Sequence, residues 1–240
     1  METKLDKQAN FTLKLDIIFE NEDFLVINKP ADLIVHPVKS LAETTLVSVL
    51  LKKYPGIKNV GENCLRPGII HRLDKNVSGL LIIAKNQKTF DYFKKQFQLQ
   101  QIIKEYFALV HGQVSKETGI INLALARDKN GKMTLAKSAH LGNIKESWTE
   151  YKILKKLKNF TLLKIKIKTG RTHQIRLHLK SIGHSIVGDD LHKIKRQKKV
   201  TLKRIFLHAF HLSFIDLNGQ KHNFEVDLPA ELKNFLTTLN

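Results

Sequence analysis

The run Gly79–Ala84, "GLLIIA", most limits how this chain can fold. It is apolar without a break, as expected of a central strand buried on both faces. A shorter apolar piece, Gly68–Ile70, precedes it. The loop between them carries His71, Arg72, Asp74 and Lys75. One carboxylate thus sits among cations, on a loop that rigid flanks can hold in place.

The other segments read as alternating strands and helices. Asp23–Pro30 is a strand stopped by proline, and Leu33–Pro37 is a second extended piece before a proline. Thr44–Tyr54 has helical spacing, with Thr44 as the cap. In the next helix Phe90, Phe93 and Phe97 share one face, which reads as core. Glu105–Gly112 is a strand. Residues 148–170 form a hairpin turning at Lys158–Asn159. Its second arm alternates Leu163, Ile165 and Ile167 with Lys164, Lys166 and Lys168, which puts the lysines on one face. A helix runs from Thr172 to a stop at Gly183. Two strands about the Asn218–Gly219 turn and a final helix opened by Pro229 complete the chain. Strands often follow strands, so the fold class is α+β, with a mixed, largely antiparallel sheet and flanking helices.

Charge narrows the partner. The 240 residues carry 41 Lys and Arg against 22 Asp and Glu, a formal net charge of +19. Residues 151–204 hold seventeen of the basic residues and only Asp189 and Asp190 as acids. Residues 1–40 are mildly acidic. A general enrichment in lysine does not produce that contrast, so a polyanion such as RNA is expected. The densest run, His192–Arg204, reads as a basic loop. No signal peptide or membrane span is evident, which makes a cytoplasmic protein the expectation. The single cysteine, Cys64, excludes an internal disulfide and a four-thiolate zinc site. His173, His178 and His184 match no zinc spacing, and no metal is expected. Walker, dinucleotide and serine-hydrolase motifs are missing as well.

Asp74 alone fits either a structural ion pair or an ionised group that acts as nucleophile, base or stabiliser of a cation. A second cluster, "TGRTHQIRLHLKSIGHSIVGD" (169–189), supplies Arg171, His173 and Arg176. Together with "NKPADLIVHP", "RPGIIHRLDKNVSGLLIIAK", "KEYFALVHG" and "FLHAFHLSF", in that order, it resembles the RluA family of pseudouridine synthases. The resemblance spans residues 17 to about 235. It implies a pseudouridine synthase fold with a central catalytic cleft, formed by residues 17–240 after an extension at 1–16. It implies isomerisation of uridine to pseudouridine within a folded RNA, without cofactor or metal; ribosomal or transfer RNA is the expected substrate and a monomer the expected state. On the matching positions, Asp74 is the catalytic aspartate and Arg72 the arginine that supports nucleotide flipping. Tyr106 packs on the target base, and Arg176 is the basic partner of Asp74. Lys164, Lys166, Lys168 and the 193–204 cluster are expected on phosphates. Asp32, Val77, Ser185 and His192 depart from the family pattern, where glycine, threonine, proline and tyrosine are usual. The S4-type RNA-binding module of many relatives is not expected, since only sixteen residues precede the first motif.

Overall fold

In the computed structural model of the protein, residues 14–37, 44–136, 143–195, 197 and 200–239 are described. Most of the expected 1–16 extension, and residues 196, 198 and 199 of the basic loop, lie outside them. Strand β3 (Ser78–Ala84) is buried at every position. Its side chains alternate between two cores. Leu81 and Ile83 join one that includes Leu25, Ile27, Leu46 and Leu50. Leu80 and Ile82 join another with Phe24, Val26, Phe93 and Phe214. Each such side chain contributes about 1.5–3 kcal/mol on burial, which explains the uninterrupted apolar run.

On one side of β3 lies β2 (Phe24–Lys29), antiparallel from Phe24↔Ala84 to Lys29↔Gly79. On the other lies β10 (Leu207–Ile215), parallel through His208↔Ser78 and Ala209↔Gly79. Beyond β10 come β4 (Ile103–His111), β9 (Phe160–Ile167), β8 (Trp148–Leu157) and β5 (Thr118–Asn122). β1 (Ile17–Glu20) borders β2, and β11 (Lys221–Glu225) pairs with β10. Every pairing of described strands except β3 with β10 is antiparallel, so the expected α+β class with a largely antiparallel sheet is borne out. Gly79 is needed at the parallel contact. Its φ is +120°, and a Cβ there would lie 2.2 Å from the Ala209 carbonyl oxygen.

Several local expectations shift. The helix α1 (Leu46–Lys53) is capped by Thr45, not Thr44, through a reciprocal bond pair with Ser48. Leu33–Pro37 is not a strand: Ile34 makes one isolated bridge, to Thr45. In α2 (Gln87–Gln98) Phe90 and Phe93 are core, but Phe97 is only half-buried and faces His71. α3 (Gln174–Ser181) begins at Gln174, not Thr172. The Gln174 side chain explains the delay. Its carbonyl oxygen accepts from the Thr169 hydroxyl and the Arg171 amide, and its NH2 donates to the Trp148 carbonyl and Thr149 hydroxyl. That holds 169–173 as a loop, with His173 left-handed at φ +56°. β6 (Leu125–Arg127) and β7 (Met133–Leu135), a separate ribbon, were not expected. α4 (Ala230–Thr237) follows Pro229 as expected.

Candidate active site

The loop before β3 is tied down at several points. The His71 Nε2 accepts from the Ile82 amide at 3.0 Å, so its proton is on Nδ1. Burial, then Lys104, lower its pKa to about 3 and keep it neutral. The Val77 amide donates to the Asp74 carbonyl. Ser78 accepts from the Arg204 Nη2 at 2.7 Å and is 2.8 Å from His208 Nδ1. Beneath the loop Lys29 is wholly buried. Its Nζ donates to the carbonyls of Pro30 (2.7 Å), Leu33 (2.9 Å) and Lys75 (3.1 Å). Burial, then Arg204, pull its pKa down to about 7. Three carbonyls facing one nitrogen require three N–H bonds, which only the ammonium supplies. The turn that provides two of them passes through Asp32, which is left-handed at φ +61°. The family's usual glycine there is understandable, and aspartate tolerates the same region.

Asp74 projects from this loop with its side chain 20% exposed. The Arg176 Nη1, on the first turn of α3, donates to its Oδ2 at 3.1 Å. The Arg176 Nε and Nη2 grip Asp189 at 2.8 and 2.7 Å. Asp189 is almost fully buried and also accepts from the His192 amide at 3.1 Å. Burial opposes the Arg176 charge, but Asp189 and then Asp74 outweigh it and hold its pKa above the ordinary arginine value. Burial likewise raises the Asp189 pKa, and Arg176 more than reverses this. The result is an Asp–Arg–Asp chain whose inner member is fixed and whose outer member faces the cleft. His173 Nε2 stands 3.8 Å from Asp74, and its Nδ1 is 3.0 Å from His192 Nε2.

Tyr106, on β4, lines the same narrow cleft as Asp74, with Ile167 and Leu207. Burial, then the charge of Asp74, push its phenol pKa up, so the hydroxyl stays protonated at neutral pH. It can serve as a platform and hydrogen-bonding group, not as a base. Arg72 is exposed at the junction of three adjoining cavities, with no carboxylate partner among the described residues. Its Nη1 lies 3.5 Å from the His36 Nε2. The structure therefore brings Asp74, Arg72, Tyr106 and Arg176 to one place.

The lysines are placed differently. Tyr106 pairs with Ile165, whereas Glu105 pairs with Lys166 and Phe107 with Lys164. Cross-strand partners share a face, so Lys164 and Lys166 share one as expected, but it is the face opposite Tyr106. Lys164 is bound to Glu105 at 2.8 Å, and the Lys168 ammonium lies 4.4 Å from the Trp148 ring centroid. In the basic loop, Arg204 points inward and is buried against Ser78, and Lys193 lies 3.4 Å from Asp190.

Sequence reasoning missed Asp189 and Lys29. The signal for Asp189 was present: it is one of two acids in the long basic stretch. Asp189→Asn keeps the size but takes one end of the Arg176 chain away. It is expected to cost about 3 kcal/mol of stability and, by letting Asp74 drift, about a hundredfold in kcat, with KM near wild type. Single-turnover kinetics beside a thermal melt check this, and unchanged kcat would leave Asp189 a purely structural role.

Among the described residues no helix is long and apolar enough to cross a membrane, and no cluster of three or more potential ligands is placed to hold a metal. Comparison with known proteins identifies the family. Residues 23–181 match the family described as RNA pseudouridylate synthase. A ribosomal large subunit pseudouridine synthase D of Zymomonas mobilis is 36% identical, over 92% of this chain and 71% of the relative. A Bacillus subtilis protein, described as an uncharacterized RNA pseudouridine synthase, is 34% identical over 95% of this chain and 73% of its own. The solved structure of human RNA pseudouridylate synthase domain containing 1 superposes with a TM-score of 0.73 at 27% identity, covering 97% of this chain and 89% of that one. With its aspartate, tyrosine and arginine gathered in one cleft, and relatives matching along nearly its whole length, the chain belongs to the RNA pseudouridylate synthase family and is a pseudouridine synthase, an isomerase.

Proposed function

We propose that the protein isomerises specific uridines in structured RNA, most directly ribosomal RNA, with Asp74 as the catalytic group. The observation that carries this reading is the Asp74 carboxylate held by Arg176 in the cleft that Tyr106 lines. The reaction exchanges the N1–C1′ bond of uridine for a C5–C1′ bond. N1 takes up a proton and C5 loses one, so no oxidant, reductant or added atom is needed. Positive character develops at C1′ as the first bond breaks. The carboxylate stabilises it, attacks it, or removes a sugar proton to give a glycal; the detached uracil turns against Tyr106 and rejoins through C5. Relatives named as large-subunit synthases favour ribosomal over transfer RNA as the substrate. The reading places the enzyme in the cytoplasm, acting as a monomer without metal or cofactor. Lys164 and Lys166 would then meet phosphates of RNA that extends round to the reverse face of the sheet.

Mapping pseudouridines in total RNA with and without the gene tests this. The expected result is one or more sites lost with the gene and restored by the wild-type protein only. An unchanged map refutes the reading, and release of free uracil would make the enzyme a nucleosidase.

Arg72 has the exposure and freedom to prop the gap left by a flipped uridine. Arg72→Ala is expected to slow catalysis about tenfold more on a stem-loop than on an unpaired oligonucleotide, because extrusion costs a few kcal/mol only in the former. Equal losses on both substrates would leave Arg72 a general charge role.

A further inference from the structure

Beside the catalytic cleft, beyond Arg72 and Tyr106, lies a second cavity of about 530 Å³, within the size range of small-ligand sites. No carboxylate lines it, although Arg66, Arg72, Lys94, Lys104, Lys168 and Arg171 do. Lys94 and Lys168 reach Glu62 and Glu150 outside it. The other four have no carboxylate partner among the described residues.

Lys104 is the telling one. It is 6% exposed, and burial, then Arg171, lower its pKa to about 8. A group this buried ordinarily has an anion. Among the described residues Lys104 meets no carboxylate; its ammonium lies 5.0 Å from the centre of the Phe97 ring. That ring is half-buried on the last turn of α2, with the neutral His71 ring 4.7 Å away at 32°. A cation over an aromatic face is held only weakly. A phosphate oxygen offers a stronger, charge-assisted bond. Drawing the ammonium off would also free the ring face for a base.

We propose that this cavity is a second nucleotide subsite, which takes an unpaired nucleotide close in sequence to the target uridine, its phosphate on Lys104 and Arg171 and its base on Phe97. The inference rests on the RNA reading above. It adds a recognition element: the RNA must be able to surrender a second base as well as the target. The uridine enters between Asp74 and Tyr106, the second nucleotide occupies the cationic cavity, and Arg72 stands between them.

The test uses a stem-loop carrying a mapped target uridine, and variants with a single abasic site at each neighbouring position. Pseudouridine formation is followed for the wild type, Phe97→Ala, Phe97→Trp and Lys104→Met. For the wild type one abasic position should lower kcat/KM about tenfold, the worth of one stacked base. On the intact RNA Phe97→Ala should lose about as much, yet lose nothing further on that abasic RNA, and Phe97→Trp should restore the discrimination. Lys104→Met should show the same lack of additivity with a methylphosphonate at one neighbouring phosphate, and a salt slope reduced by about one. Circular dichroism confirms that each variant is folded. If Phe97→Ala and every abasic site act independently, the subsite is refuted. Phe97-dependent binding of free nucleoside monophosphates without any coupling to the RNA would make the cavity an effector site and also refutes it. Wild-type protein that makes no pseudouridine in any RNA fails at the first arm and removes the functional reading itself.

Discussion

Asp74→Asn is expected to leave a folded protein that still binds RNA and forms no detectable pseudouridine. The substitution keeps the size of the side chain, and its amide oxygen can still accept from the Arg176 Nη1. The inner half of the chain, Arg176 to Asp189, is untouched, so the buried guanidinium keeps its main partner. The Asp74 side chain retains some exposure, and the structural cost should be about 1 kcal/mol. Catalysis is another matter. A neutral amide cannot stabilise a developing cation, attack it, or take a proton from the sugar. Loss of a preorganised charge at a reacting centre costs at least about a hundredfold to a thousandfold, and loss of the reacting group itself costs more. The measurement is tritium release from C5-labelled uridine in RNA, with a thermal melt and a binding titration in parallel. Substantial turnover by a folded, RNA-binding variant would end the catalytic assignment of Asp74.

Lys29→Met should damage both stability and turnover. It removes the nitrogen that three carbonyls share and leaves them facing a thioether in a closed site. Unsatisfied buried acceptors cost about 1–3 kcal/mol each, partly relieved by local shifts, so a fall of about 10 °C in Tm is reasonable. The Lys75 carbonyl that Lys29 holds belongs to the residue after Asp74. Below the melting transition, kcat should fall by about a hundredfold, with KM for RNA little changed, because Lys29 lies under the loop and out of contact with substrate. A Lys29→Met protein that melts lower but keeps wild-type kcat would show that the turn stabilises the fold without positioning the carboxylate.

What could be read from the sequence divides along physical lines. Periodic burial was legible: the two-sided run of β3, the alternation of β9 and the hairpin at Lys158–Asn159 all rest on side-chain pattern. Start points were less so. Thr44 and Thr45 are equal candidates by type, and only the reciprocal bonding of Ser48 chooses between them. The onset of α3 depended on Gln174 reaching back to β8, a contact that no local rule contains. The same holds for the site. Asp74, Arg72, Tyr106 and Arg176 were named from motif, and the fold brings them together. Asp189 and Lys29 act through burial, which their residue types argue against. The lysines of β9 were rightly put on one face, but which face depends on the pairing of β9 with β4, residues 103–111, more than fifty positions earlier.

The parallel contact of β3 with β10 has a consequence for how the enzyme comes into being. β3 ends at Ala84, yet the strand that covers its far edge does not begin until Leu207. Ser78 waits for Arg204 and His208, and Asp74 waits for Arg176 and Asp189. Contacts so distant along the chain form late, because the loop between them must close first. During synthesis the aspartate loop therefore emerges with Lys29 already beneath it but more than a hundred residues before Arg176, Asp189 and Arg204, with one edge of its strand bare. The nascent protein thus carries the Asp74 carboxylate through the synthesis of more than a hundred residues before its arginine partner exists, and its cleft is complete only when synthesis has passed β10.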